Sequence, residues 1–474
     1  MSLRALPACL CLAACLNTVD AGASPPEAGD PLDSETLLSL RIDPRISLQQ
    51  DAGAPCRQAL APAVLDIVDA VELALCRNPQ TREAWANARA QAALVGVARA
   101  AYLPGLDARL SGNRTVSGGL ADYQRSASLT LSWLLYDFGA RNAKLESARQ
   151  LLLAAAATLD ASVQNVLLLA MQTYYNAQAA RAALVAAQES EKTSHESLAA
   201  AQVRYRIGSG TPADQLQAQT AWSQSTLNRI KAEGSLRNAL GTLANVMGFD
   251  ANLPLTLADI DTSASVTPNA SFEGDLATMI EEARLHRPDL KAAEAQLNAA
   301  QAATDHARAA GMPTLSLSAG PNWQRLGELA SHGNSIGLSV SAPLFSGFET
   351  HYRVRNAEQQ SAALKAQRDG LRQQIALDVW KAYQSLTTAT QTLRTTQDLL
   401  ASAGQSERVA LGRYKAGVGS ILDLLSAQNA LATARQQRVQ AILDWQIYRA
   451  TLAQALGTLD QRLLQANATG QGQP

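Results

Sequence analysis

The sequence predicts a fold that combines long coiled-coil helices with the strands of a membrane β-barrel, in a module that occurs twice. Three observations lead to this fold class. The chain matches itself at an offset of 209 residues, and residues 140–205 contain neither proline nor glycine. Four further segments alternate apolar with small polar residues, a pattern typical of strands that bury one face.

The internal repeat aligns turn and helix markers of the two halves without a gap. The matching pairs include Pro79 with Pro288, Pro104 with Pro313, Tyr174 with Tyr383, Gly208 with Gly417, Asp214 with Asp423 and Gly248 with Gly457. A repeat of this kind indicates like units that pack side by side. We assign repeat 1 to residues 66–249, a linker to 250–274, repeat 2 to 275–458 and a tail to 459–474.

The N-terminus reads as an export signal over residues 1–23, with Arg4, an apolar run at 5–16 and small residues before the cleavage point. An alternative is a lipoprotein signal at 1–14, which would leave Cys15 as an acylated first residue. Residues 24–65 then form an N-terminal periplasmic extension. Cys56 and Cys76 remain in a compartment where a disulfide can persist, and whether they pair stays open.

Composition argues against several classes of function. The formal net charge is −1 and 17% of residues are charged, so no nucleic-acid partner is expected. The five histidines are scattered without metal-ligand spacing, and there is no phosphate-binding loop, no Cys-x-x-Cys and no nucleophile elbow. We therefore expect no enzyme activity, no cofactor and no metal.

The strands are predicted at 105–116 and 123–136 in repeat 1, and at 313–323 and 334–345 in repeat 2. No stretch after the signal has the roughly 18 uninterrupted apolar residues of a spanning helix, so contact with a bilayer would have to use strands. A soluble sheet with one wet face is the alternative. The strand length of about 10 residues favours the membrane. So do aromatic residues near the strand ends, namely Tyr123, Trp133, Tyr136, Phe138, Trp323, Phe345, Phe348 and Tyr352.

Four strands per chain cannot close a barrel, since the smallest membrane barrels have about eight. Oligomerisation follows. Two chains would supply 8 strands and three would supply 12, and only the larger ring begins to leave an open lumen. The links at 117–119 and 332–334 would be the outer loops of the hairpins.

The helices are predicted at 66–101, 139–205 and 212–247, and again at 275–310, 348–414 and 421–456. A 3-and-4 spacing of apolar residues marks a coiled-coil seam on the long helices. Its members are Leu145, Ala148, Leu152, Ala155, Leu159, Val166 and Leu169, then Leu371, Ile375, Ala382, Leu386, Ala389 and Leu393. The long helix would span roughly 100 Å, the length of two shorter ones stacked end to end.

The turns between the long and the returning helices carry the strongest functional signal. They run from Arg204 to Asp214 and from Arg413 to Asp423. In each, a glycine ends one helix and a hydroxyl residue caps the next, with an aspartate in its first turn, where the helix dipole favours an anion. The aspartates are either ordinary caps or, in a ring of chains, carboxylates placed around one axis.

These tips, with the pattern Arg-Tyr-x-x-Gly-x-x-x-x-x-Asp-x-Leu-x-Ala-Gln, and the strand-ending Leu-Tyr-Asp-Phe-Gly and Pro-Leu-Phe-Ser-Gly-Phe resemble the outer-membrane factors of the TolC family. The resemblance covers nearly the whole mature chain. It implies a homotrimer in the outer membrane, with a 12-stranded barrel in outer-membrane lipid and an α-helical tunnel in the periplasm. It also implies a periplasmic adaptor (membrane fusion protein) and an inner-membrane transporter as partners.

The resemblance further implies a tunnel gate formed by Asp214, Tyr414, Asp423 and Tyr205. One family feature is missing, because Gly419 stands where the family's arginine latch is expected and Ser426 replaces a second aspartate. Arg206, Arg413 or Lys415 are candidates to replace the latch. The adaptor would meet the tips at Ile207, Gly208, Ser209, Ala416, Gly417 and Val418.

Within the family, the sequence looks most like the type I secretion branch, which includes the exporter component for the adenylate cyclase toxin, cyclolysin. An ABC exporter and a secreted protein cargo would follow. Multidrug efflux is the main alternative. A soluble periplasmic coiled-coil scaffold and a general porin are the remaining rivals, but the first leaves the serine-lined strands unexplained and the second leaves the long helices without a use.

Overall fold

The computed structural model describes residues 32, 64–117, 120–258, 275–327 and 329–459. The signal, Cys15, most of the predicted extension and linker, and nearly all of the tail lie outside these residues. Repeat 1 contains α1 (Ile67–Arg77), α2 (Pro79–Ala100), β1 (Gly105–Ser117), β2 (Leu120–Tyr136), α3 (Ala140–Arg206) and α4 (Pro212–Val246). Repeat 2 contains α5 (Leu276–His286), α6 (Pro288–Ala309), β3 (Thr314–Leu326), β4 (Leu329–Ser341), α7 (Glu349–Lys415) and α8 (Ile421–Ala455).

The prediction of single helices over 66–101 and 275–310 is wrong, because each is broken once. Asn78 has extended backbone angles, ends α1 and caps α2 by accepting a hydrogen bond from the amide of Gln80. Arg287 takes the same conformation between α5 and α6. In both cases a proline follows, and a residue before proline avoids the helical region while the proline suits the first helical position.

The returning helix of each repeat ends at this break. The Asn78 side chain donates to the carbonyl of Val246 at 3.1 Å, and the Arg77 guanidinium stacks on Phe249 at 4.2 Å. A side chain at Gly248 would clash with Arg77, just as one at Gly457 would clash with the backbone of Arg287. Thus α2 and α4 lie end to end beside α3, a helix of 67 residues that matches α7 in length.

The four strands form one antiparallel sheet in the order β1-β2-β3-β4. The prediction of β4 at 334–345 is wrong at both ends. Residues 332–334 pair with β3 inside the strand, so the link between β3 and β4 comes before Leu329 and not at 332–334. The strand stops at Ser341 because Pro343, which has no amide hydrogen to donate, follows closely.

The sheet has one apolar and one polar face. Cross-strand rows such as Leu106, Leu131, Ala319 and Ile336 make up the apolar face. On the other face the hydroxyls of Ser111 and Ser126 lie 2.6 Å apart, and those of Ser316 and Ser339 lie 2.7 Å apart. Alternation of this kind gives a barrel a lipid face and a lumen face.

The main hydrophobic core runs along α3 from Leu145 to Ala177, where α1, α2 and the end of α4 pack together. The side chains of Tyr174 and Gln178 on α3 donate hydrogen bonds to backbone carbonyls of two segments. These segments pair with each other through an isolated bridge between Leu65 and Leu257. Cys76 is disulfide-bonded. Cys56, whose pairing with Cys76 the sequence left open, lies outside the described residues. By length and composition α3 is apolar enough to span a membrane, but core helices of other proteins meet the same criterion. Half of its most apolar stretch is buried against the other helices.

Candidate gate at the helical tips

Both helical hairpins end in the same tight turn. Gly208 and Gly417 adopt positive φ values of 76° and 80°, which glycine tolerates without strain. The amide of Ser209 donates to the Arg204 carbonyl at 2.9 Å, and that of Val418 donates to the Arg413 carbonyl at 3.0 Å. These bonds satisfy carbonyls at the helix ends, so the turn is fixed by the local sequence.

The two predicted gate aspartates belong to capping boxes. The Thr211 hydroxyl accepts from the Asp214 amide at 3.2 Å, while the Asp214 carboxylate accepts from the Thr211 amide at 2.9 Å. Ser420 and Asp423 form the same arrangement at 3.1 and 3.4 Å. Each carboxylate therefore stabilises the start of its own helix.

Tyr414 and Tyr205 occupy matching sequence positions but different environments. Tyr414 is buried, whereas the Tyr205 side chain is about half exposed. Tyr414 lies under Arg204, whose guanidinium carbon is 4.1 Å from the centre of the ring. Arg204 also donates to the backbone carbonyls of Tyr414 and Lys415. The first tip is thereby bound to the second within one chain.

Within the described residues, no hydrogen bond joins Asp214 to Tyr414; the two interact at longer range. Burial raises the pKa of the Tyr414 hydroxyl, Arg204 lowers it in part, and the negative charge of Asp214 raises it. The Tyr414 hydroxyl is thus protonated at neutral pH and available as a donor.

Gly419, which stands at the missing latch position, lies in a crowded part of the turn. A Cβ at Gly419 would lie 3.0 Å from the Arg413 Cβ and 3.1 Å from the Tyr414 amide nitrogen. Any side chain at residue 419 would require the helix end to shift. The three proposed substitutes, Arg206, Arg413 and Lys415, are exposed.

Arg204 is the tip residue that sequence reasoning did not single out. A signal was present, since the pair Arg204-Tyr205 recurs as Arg413-Tyr414. The repeat shows that the pair matters, but it does not show that the arginine of one copy stacks on the tyrosine of the other.

The predicted adaptor-docking residues lie at the outermost part of the tips. The side chains of Ile207 and Val418 are 72% and 69% exposed, and Gly208, Ser209, Ala416 and Gly417 are exposed as well. Asp423 and Ser426 are exposed on α8, and Asp214 is partly buried. The tips therefore present two apolar side chains and open backbone to solvent.

Removing the cap hydroxyl with Thr211→Ala is expected to loosen the first turn of α4 by about 1 kcal/mol, because the amide of Asp214 loses its acceptor. Hydrogen exchange at the amides of residues 213–215 should become about fivefold faster. Thr220→Ala removes a hydroxyl that only bonds back to the Leu216 carbonyl, and it serves as the control. Equal exchange at 213–215 in both variants would contradict the role of the capping box.

Comparison with known proteins identifies the family. The model of the outer membrane efflux protein family matches residues 70–249 and 279–458, which are the two repeats. The chain belongs to this family. The predicted membership of the TolC family is confirmed, and with it the channel-tunnel fold and the location in the outer membrane with a helical tunnel in the periplasm.

Two relatives and one solved structure illustrate the similarity. Protein CyaE of Bordetella pertussis is 35% identical over 384 residues, 79% of this chain and 80% of that protein. The proteases secretion protein PrtF of Dickeya chrysanthemi is 25% identical over 431 residues, 86% of this chain and 92% of that protein. The crystal structure of CusC, a transmembrane channel, is 24% identical, covers 87% of this chain and 96% of CusC, and has a TM-score of 0.74.

Proposed function

We propose that three copies of this outer-membrane channel protein assemble into one conduit that carries a secreted protein from an inner-membrane ABC exporter and its periplasmic adaptor to the exterior. The observation that carries the proposal is the pair of open sheet edges. Within a chain, β2 of repeat 1 pairs with β3 of repeat 2. The edges β1 and β4 are both 13 residues long, so β4 of one copy can pair with β1 of the next in the same way.

Lipid makes such pairing necessary. An open sheet edge in the hydrocarbon region leaves amides and carbonyls without partners, and only closed barrels avoid this cost. A head-to-tail interface closes when the rotation between copies completes a ring. Three copies supply 12 strands, and of the rings of 8 and 12 strands only the larger one begins to leave room for a lumen.

The packing of the helices supports the same head-to-tail arrangement of copies. In repeat 1, α3 packs along α6 of repeat 2. The equivalent partner of α7 would be α2 of the next copy. In the single chain α7 buries far fewer residues than α3, and it exposes Leu377, Trp380 and Leu399 by 42 to 47%. A neighbouring copy would cover these side chains.

Protein secretion is favoured over drug efflux by the relatives named for secretion, and efflux remains the second candidate because the family model carries that name. The exposed tips fit an adaptor that binds Ile207 and Val418.

The test of secretion against efflux compares cells with and without the chain. Secretion predicts loss of a specific protein from the medium with unchanged tolerance of toxic solutes. Loss of tolerance with unchanged secretion would favour efflux and refute secretion.

The gate is tested by Arg204→Gln, which removes the charge that holds the two tips together. Stacking on tyrosine contributes about 0.5–1 kcal/mol, and hydrogen bonds from a charged group about 1.5–3 kcal/mol. We expect at least a tenfold rise in open probability in single-channel recordings.

Asp214→Ala and Tyr414→Phe test the proposed tip carboxylate and hydroxyl in the same recordings. An unchanged closed-state current would exclude these two residues as latches.

Lys415→Gln is the matched control. Lys415 is a neighbouring exposed cation, and among the described residues its side chain makes no hydrogen bond or ion pair that would support the latch role considered for it. It should leave the recordings close to those of the wild type. Equal effects of Arg204→Gln and Lys415→Gln would show that general charge at the tip, and not the stacked pair, controls opening.

A further inference from the structure

The apolar face of the sheet ends abruptly in arginines. Five cross-strand rows of this face, from Leu315 with Val340 to Ala127 with Trp323, are apolar apart from Asn334 and His332. Arg125 and Arg325 form the next row on the same face, and Arg114 lies one row further with Tyr123. We call Arg114, Arg125 and Arg325 the arginine row.

The arginine row lies at the end of the strands that is distant from the helices. The helix-attached ends are Gly105, Tyr136, Thr314 and Ser341, and these face the periplasm. From Leu315 to Trp323 the strand rises roughly 27 Å, or about 20 Å when tilted, close to the height of the apolar band of a membrane barrel. The arginine row therefore lies at the headgroup level of the outer leaflet, beside the aromatic rings of Tyr123 and Trp323.

Two of these arginines are placed directly opposite each other. Arg125 pairs in register with Arg325, which brings their Cβ atoms to about 5 Å, and like charges at that position are destabilising. All three side chains are exposed. Among the described strand residues, none on this face carries an acidic side chain. Asp107 belongs to the polar face. The charge of the arginine row thus has no counter-charge from its own face.

We propose that the arginine row binds the phosphate groups of anionic lipids in the outer leaflet of the outer membrane. Guanidinium groups bind phosphate through paired hydrogen bonds, and they cost little at the membrane interface. A lipid phosphate between Arg125 and Arg325 would remove their repulsion. Arg114, held against the Tyr123 ring at 5.6 Å, would contact the same headgroup layer. In a closed barrel the arginine row would extend around the whole outer rim.

The test uses the full-length assembled protein in detergent with lipid A as the phosphate-bearing probe. Lipid A, whose phosphate monoesters give it a net negative charge, should bind and raise the temperature of unfolding. Phosphatidylcholine, whose phosphate is neutralised by its own choline cation, should not. Arg125→Gln with Arg325→Gln should weaken lipid A binding about 30-fold, the effect of two charges at about 1 kcal/mol each. Arg125→Lys with Arg325→Lys keeps the charge and should retain most of the binding.

Arg109→Gln is the matched control, because Arg109 lies on the same sheet but on the polar face. It should leave lipid A binding unchanged. If the glutamine pair fails to assemble, wild-type binding must still weaken steeply as salt rises. Equal binding by the glutamine pair and the wild type, no salt dependence, or equal stabilisation by inorganic phosphate would overturn the proposal.

Discussion

Replacing Arg141 by alanine is expected to destabilise the junction between barrel and tunnel by about 3–5 kcal/mol, the effect of breaking a buried ion pair from one side. The Arg141 guanidinium binds the Asp137 carboxylate at 3.0 Å, and the two side chains are only 12% and 9% exposed. It also donates to the carbonyls of Leu134 and Leu135 at 2.6 and 3.1 Å. Alanine would leave the Asp137 charge and both carbonyls without this partner.

The measurement is the free energy of unfolding from urea titration in lipid vesicles, with Arg353→Ala as the control. Arg353 pairs with Glu349 near the equivalent junction of repeat 2, but both side chains are more than half exposed. A surface pair of this kind contributes at most about 1 kcal/mol. Similar losses in the two variants would mean that Arg141 does not hold the junction.

Gly320→Ala is expected to prevent normal pairing of the two repeats in the sheet. A Cβ on Gly320 would lie 1.9 Å from the carbonyl oxygen of Leu129, and real atoms do not approach so closely. Because the obstacle is backbone, β2 and β3 would have to separate, at a cost above the roughly 1–3 kcal/mol of ordinary overpacking. The fraction of protein that folds into vesicles and resists protease should fall to a small part of the wild-type value.

Gly112→Ala provides a control in the same sheet, since a Cβ there meets nothing within 4 Å. Both changes add one methyl group to a strand glycine and alter propensity equally. Full folding of Gly320→Ala would show that β2 and β3 do not approach as closely as the structure describes.

Local features of the sequence predicted much of the fold because they act over a few residues. Glycine at the tip turns, the Thr211 and Ser420 caps and the alternation of the strands all depend on near neighbours in the chain. The breaks at Asn78 and Arg287 could have been predicted as well, since both residues precede proline.

The features that sequence reasoning missed depend on contacts between distant segments. The start of β4 is set by pairing with β3, and residues 329–334 lack a strong alternation of their own. Arg204 and Tyr414 are 210 residues apart and meet only when the two hairpins pack. Exact repetition predicts equal roles for Tyr205 and Tyr414, but their burial differs because the two hairpins face different neighbours.

Assembly of the channel requires that the open edges β1 and β4 join those of sister chains. The most direct measurement is the mass of the protein extracted from outer membranes in detergent, with the detergent contribution subtracted. Three chains that have each lost the signal should together weigh somewhat less than about 150 kDa, since one full-length chain weighs 50.1 kDa. A folded protein that has the mass of one chain and stays in solution without detergent would contradict this assembly.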